Sequence, residues 1–141
     1  MTTFNASILI HQSPETVWRI LADLESWPSW TSTMTKVDVL SSGEMALGTR
    51  ARLFQPKLQP AVWEITDWQP GRSFAWKTTV MGAEIVADHV LERVESQCRF
   101  SQSLTYKGIV GAILGTLSGS LTRDYMAIEA QGLKRRAEAT P

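Results

Sequence analysis

The chain has 141 residues, fourteen basic and fourteen acidic, so it offers no net field for nucleic acid or an anionic membrane. That length suits one domain over residues 1–141, large enough to fold without a disulfide or metal. The single cysteine, Cys98, excludes an intrachain disulfide, and MTTFNASILIHQSPE lacks the basic-then-apolar pattern of a signal peptide, so a cytoplasmic location is expected.

Phe4–Ile10 has strand character. Ser13-Pro14-Glu15 then opens a helix, because Ser13 can cap and Pro14 suits the first helical position. Val17, Trp18, Leu21 and Leu24 recur at helical spacing, which predicts a short helix over Pro14–Leu24. Pro28 limits its continuation, since the proline ring excludes the preceding residue from the helical region. SWPSW is therefore a break or the start of a second short helix. On this reading Trp27 is extended and lines the rim of a cavity. Trp30, followed by small hydroxyl residues and Met34, is the buried anchor of the corner.

Consecutive strands follow at Lys36–Leu40, Gly48–Gln55, Ala61–Trp68, Ser73–Val80, Ala83–Val94 and Cys98–Tyr106. The turns at Ser42-Gly43, Gln69-Pro70-Gly71-Arg72, Met81-Gly82 and Glu95-Ser96-Gln97 separate them, and Pro56 and Pro60 bracket a loop. Short strands with regular turns predict an antiparallel meander. The last segment changes period. Val110, Ile113, Leu114, Leu117, Leu121, Tyr125 and Ile128 form an apolar stripe, predicting one amphipathic helix from Gly111 to Glu138. Gly111, Gly115 and Gly119 mimic a membrane-helix motif, but the apolar run is shorter than the about 20 residues a span needs, so no integral membrane segment is expected.

The order is thus strand, short helices, about six strands and a long helix. One sheet face must be covered, and one long helix is available to cover it. The expected fold class is α+β: a curved antiparallel sheet of about seven strands wrapped around the C-terminal helix, with two short helices after strand 1. A bent sheet leaves a gap against a straight helix, and such gaps are common apolar ligand sites.

Several segments also resemble one family. SPETVW is similar to an opening helix, WPSWTSTM to a tryptophan-proline-tryptophan segment, and LGTRARL to a Gly-Thr-Arg strand start. ITDWQPGRSFAW, ADHVLERV and the helix ending GLKRRAE match in order and spacing. Together they resemble the START-like (SRPBCC) superfamily, in its polyketide cyclase/dehydrase and lipid-transport branch. The resemblance implies a helix-grip fold with an apolar cavity. It settles activity poorly, because members include cyclases, carriers and receptors.

His89 is the leading chemical candidate. It shares a strand face with Ala87 and Leu91, so it points inward if Leu91 does. An inward imidazole could serve as general acid or base, hydrogen-bond a ligand, or be a satisfied core histidine. Tyr106 and Tyr125 could bring hydroxyls into a pocket or fill the core. Asp67 and Arg72 could pair across their turn, Arg50 lies on the outer sheet face or orients an anionic group, and His11 is exposed. Cys98 beside Arg99 is inert or slightly activated. The glycines Gly111, Gly115 and Gly119 admit a close sheet, a ligand or another protomer; they or an exposed edge strand could build a homodimer. No phosphate loop, metal set or nucleophile elbow is visible, so neither metal nor cofactor is expected.

The expected function is binding of a small hydrophobic or aromatic ligand, such as a lipid, polyketide or isoprenoid, between sheet and helix. Its wall is expected from Trp27, Met34, Trp63, Trp76, His89, Leu91, Tyr106, Leu114, Leu117, Leu121 and Tyr125. Two alternatives stand beside it: a cyclase or dehydratase using His89 and Tyr106, and a filled-core structural or partner-binding domain.

Overall fold

The computed structural model describes residues 1–141. Its elements are β1 (Thr2–Ile10), α1 (Pro14–Ala22), a 3-10 turn (Leu24–Ser29), β2 (Lys36–Val39), β3 (Arg50–Phe54), β4 (Ala61–Gln69), β5 (Ser73–Val80), β6 (Ala83–Val94), β7 (Gln97–Tyr106), α2 (Gly108–Leu117) and α3 (Gly119–Glu138). The seven strands form one antiparallel sheet in the order β1-β7-β6-β5-β4-β3-β2. β2 to β7 run as a meander, and β1 closes the far edge against β7.

Local chemistry sets the boundaries. Ser13 caps α1 by accepting from the Thr16 amide, with Pro14 in the first turn. Gly71 and Gly82 take positive φ in the β4–β5 and β5–β6 turns, where a side chain would be strained. Along β6, Ala83, Ile85, Ala87, His89 and Leu91 are buried while Asp88, Val90 and Glu92 are exposed. That period of two puts His89 on the concave face, as its sharing a face with Leu91 requires. The helices α1 and α3 cover this face with Val17, Leu21, Met126, Ala130, Leu133 and Ala137.

Two expectations about the helices are corrected. The C-terminal helix is not continuous, for Ser118 interrupts it between α2 and α3 at φ −97° and ψ 5°. A serine flanked by Gly115 and Gly119 is a usual place for a kink. The expected apolar stripe also lies on the wrong side. Val110, Ile113, Leu117 and Ile128 are exposed, while Leu114, Leu121 and Tyr125 are half-buried. The buried line instead runs through Gly111, Gly115, Gly119, Thr122, Met126, Glu129, Ala130, Leu133 and Ala137.

The reason is proximity. A Cβ on Gly111 would come within 2.7 Å of the Tyr106 carbonyl carbon, and one on Gly115 within 3.0 Å of the Tyr106 ring. Glycine gives up apolar area but lets the helix backbone rest on β7 and β1. The same holds at Gly132, where a Cβ would overlap the Trp30 carbonyl oxygen. Alanine normally gains about 1 kcal/mol over glycine inside a helix. Gly132→Ala is nonetheless expected to lose about 1–3 kcal/mol, because backbone must move. Urea unfolding checks the sign; a gain in stability would place α3 farther from Trp30.

The SWPSW corner also differs from expectation. Trp27 is not extended: it lies in the 3-10 turn, which includes Pro28. Nor does it line a rim, since only 1% of it is exposed. Its indole N–H donates to the Leu21 carbonyl at 2.9 Å. Trp30 is buried as expected, and the two rings pack 5.1 Å apart.

Candidate functional site

His89 sits in an aromatic nest. Its ring stacks on Phe74 at 4.2 Å and meets Trp27 and Trp76 edge-on at 5.8 Å. Phe100 lies beyond its other side at 6.4 Å. Nδ1 lies 3.3 Å from the Phe74 carbonyl, so Nδ1–H is the donor and Nε2 carries the lone pair. Burial among these rings lowers the imidazole pKa from 6.5 to about 4. The imidazole is therefore neutral at neutral pH. Of the other expected site residues, Trp63 and Trp76 join this nest, 5.7 Å apart, while Met34 and Leu91 are buried in the same core.

A polar cluster lies on the same concave face. Glu129 of α3 is 7% exposed. Its Oε2 accepts from the Thr33 hydroxyl at 2.7 Å, and its Oε1 accepts from Gln102 Nε2 at 2.9 Å. The Thr31 hydroxyl lies 3.0 Å from that of Thr33. Burial raises the Glu129 pKa, partly opposed by the bonds from Gln102 and Thr33. Three buried polar atoms lack partners: Gln102 Oε1 and the indole nitrogens of Trp30 and Trp63. The sequence reading missed Glu129, Gln102 and Thr33. A signal existed, for Gln102 follows Cys98 and Phe100 at the inward period of two, and Glu129 stands beside Met126, Ala130 and Leu133.

A groove opens at the junction of β1 with α2 and α3. It has a volume of about 860 Å³, with Phe4, Ala6 and Met126 among its apolar lining and Gly115 and Gly119 on its helical wall. Arg123 projects from α3 to the Phe4 ring, 5.0 Å from its centroid. A second, smaller groove lies on the outer sheet face between β1, β7 and β6, with a polar lining that includes Asn5, Ser7 and Asp88.

The remaining expected residues are dispersed. Tyr106 is buried, and its hydroxyl is 2.9 Å from that of Thr122. The Tyr125 hydroxyl turns away from the interior and donates to the Pro56 carbonyl in the β3–β4 loop. Leu117 is 79% exposed and lines no interior wall, and Leu114 and Leu121 are only half-buried. Asp67 accepts from Gln69 rather than pairing with Arg72. Arg50 and His11 are exposed. Cys98 is fully buried and unpaired, and burial pushes its thiol up to about 11, which favours the inert reading over the slightly activated one. No three His, Cys, Asp or Glu side chains gather as a metal site, and no helix is long and apolar enough to cross a membrane.

A seven-stranded antiparallel sheet gripping a C-terminal helical segment, with two short helical turns after the first strand, defines the START-like helix-grip class. The chain belongs to the polyketide cyclase/dehydrase and lipid transport family, whose model matches residues 1–138. Solved structures agree on the fold. The protein TTHA0849 of Thermus thermophilus is 20% identical over 98% of each chain, with a TM-score of 0.77. The hypothetical protein jhp0584 of Helicobacter pylori is 11% identical over 96% of this chain and 88% of that one, with a TM-score of 0.83. The di-domain ARO/CYC protein BexL of the BE-7585A biosynthetic pathway is 17% identical over 100% of this chain and 48% of its own, with a TM-score of 0.76. No curated protein matches the sequence.

Proposed function

We propose that this protein binds a small, largely apolar molecule between the edge of the sheet and the C-terminal helices. The observation that carries this reading is the groove whose apolar wall comes from Phe4, Ala6, Met126 and Ala127, with Gly115 and Gly119 on its helical side and a polar remainder that includes Asn5, Ser120 and Arg123. Its volume of about 860 Å³ falls within the roughly 300–1,000 Å³ of small-molecule sites. The family and the likeness to BexL favour a lipid or an aromatic polyketide over a sugar or nucleotide.

The site of binding differs from the one expected around His89. Trp27, Phe74, Trp76 and Phe100 already surround that imidazole, which favours His89 as core over His89 as proton carrier. Native mass spectrometry of the purified protein, with a thermal-shift panel of fatty acids and polyphenols, tests binding. A retained apolar adduct or a melting-point rise is expected, and Gly119→Leu should abolish it by filling the groove against Phe4 and Arg123. A ligand-free spectrum with no thermal shift would sink the proposal.

A further inference from the structure

We infer that the groove beside β1 takes an apolar molecule with a carboxylate head, and that Arg123 at its mouth holds that head. This rests on the binding reading above and adds the charge of the ligand's polar end. Arg123 is itself part of the groove lining, with Ser120 three residues before it, so both stand on one face of α3. These two side chains are exposed, whereas Phe4 and Met126 of the apolar wall are buried. The groove is thus apolar within and polar at its opening, which is the pattern of an amphiphile. A charged head at the opening keeps part of its hydration and avoids the cost of a buried ion, while the body covers the apolar wall.

The positive charge in the groove is unbalanced. No Asp or Glu lines it, and the chain's five ion pairs use Lys36, Lys77, Arg93, Lys107 and Lys134 as their cations. Arg123 therefore has no carboxylate partner within the chain, and a guanidinium stays charged at any ordinary pH. It is nevertheless held in place. Helix side chains lean toward the N-terminus, and Arg123 folds back over Gly119, where a Cβ would stand 3.3 Å from its Nη1 and 3.5 Å from the Phe4 ring. The guanidinium carbon lies 5.0 Å from the Phe4 centroid. Stacking on an aromatic ring uses the face of a guanidinium and spares the N–H donors in its plane. Those donors form a fork that fits a carboxylate with two parallel bonds. One positive charge also matches a carboxylate better than a phosphate monoester, which carries about 1.5 to 2 negative charges.

Calorimetric titration of the full chain with decanoate, decanamide, decyl phosphate, 2-naphthoate and 2-naphthamide tests the assignment. At least one acid is expected to bind about fivefold or more tightly than its own amide, the upper end for an exposed ion pair. That preference should shrink between about 0.01 M and 1 M salt, as the screening length falls from about 30 Å to about 3 Å. Arg123→Gln should erase it while the amide still binds, which also shows that the variant is folded. Arg135→Gln removes an exposed cation of α3 outside the groove and should leave the preference intact. A preference that survives Arg123→Gln, or that Arg135→Gln abolishes equally, would overturn the Arg123 site. Equal binding of acid and amide by wild type would overturn the carboxylate head and leave the groove proposal standing. Tighter binding of decyl phosphate than of decanoate would overturn the carboxylate assignment. Failure of all the probes to bind would overturn this inference, and a ligand-free native spectrum beside it would overturn the groove proposal as well.

Discussion

Trp27→Ala is expected to destabilise the protein by about 3–5 kcal/mol, the range for truncating a buried large aromatic. The side chain is 1% exposed. Its ring lies within 5.1–6.4 Å of Trp30, Trp76, His89 and Phe74. Its N–H bond to the Leu21 carbonyl ties the 3-10 turn to α1. Truncation would open a cavity under four rings and leave that carbonyl without its indole donor. Against a typical total of about 5–15 kcal/mol, the variant should lose much of its near-UV circular dichroism and unfold at far lower urea. A loss below about 1 kcal/mol would show that the nest repacks. Trp27 has the environment of a core residue, so the variant does not serve as a clean test of ligand binding.

Acidification should cost the fold about 3 kcal/mol through His89 alone. Burial lowers its pKa from 6.5 to about 4, and one pKa unit corresponds to about 1.4 kcal/mol. Between those two values the unfolded chain binds a proton that the folded chain refuses, so stability falls as pH falls. Glu129 works the other way. Its folded pKa is raised by burial above the ordinary 4.5, so the folded chain keeps a proton that the unfolded chain releases. That contribution is lost as pH rises through the folded pKa. Above pH 4.5 the two slopes oppose each other until the folded Glu129 pKa or the unfolded His89 value of 6.5 is passed, whichever comes first. His89→Phe should remove the acid-side loss. Glu129→Gln should gain over wild type by an amount that grows as pH rises from about 4.5. Urea unfolding at successive pH values measures both effects. A Glu129→Gln difference that does not change with pH would mean that the carboxyl ionises alike in both states.

The Glu129 cluster also shows why the candidate site was only partly legible. The wall expected from Leu114, Leu117 and Leu121 followed the rule that a helix buries its most apolar stripe. The structure departs from that rule because β7 and β1 come close enough for Tyr106 and Phe4 to touch the helix backbone. At that distance the small residues go in and the leucines are left at or near the surface. Glu129 was passed over for a related reason. A carboxylate is rarely buried without partners, and its partners Thr33 and Gln102 are 96 and 27 residues away in sequence. Only the fold brings them together.

The sequence by itself determined the elements and their order. Ser13-Pro14 opens α1, the Gly71 and Gly82 turns separate β4, β5 and β6, and the period of two along β6 puts His89 on the same face as Leu91. These signals are local, carried by side chains within a few residues of each other. Tertiary structure decided what distance decides. It chose which face of the C-terminal segment meets the sheet and broke that helix at Ser118. It drew Trp27 into the core and joined Gln102 to Glu129. Each of these depends on how closely two distant pieces of chain approach, and a one-dimensional pattern of apolar residues does not carry that distance.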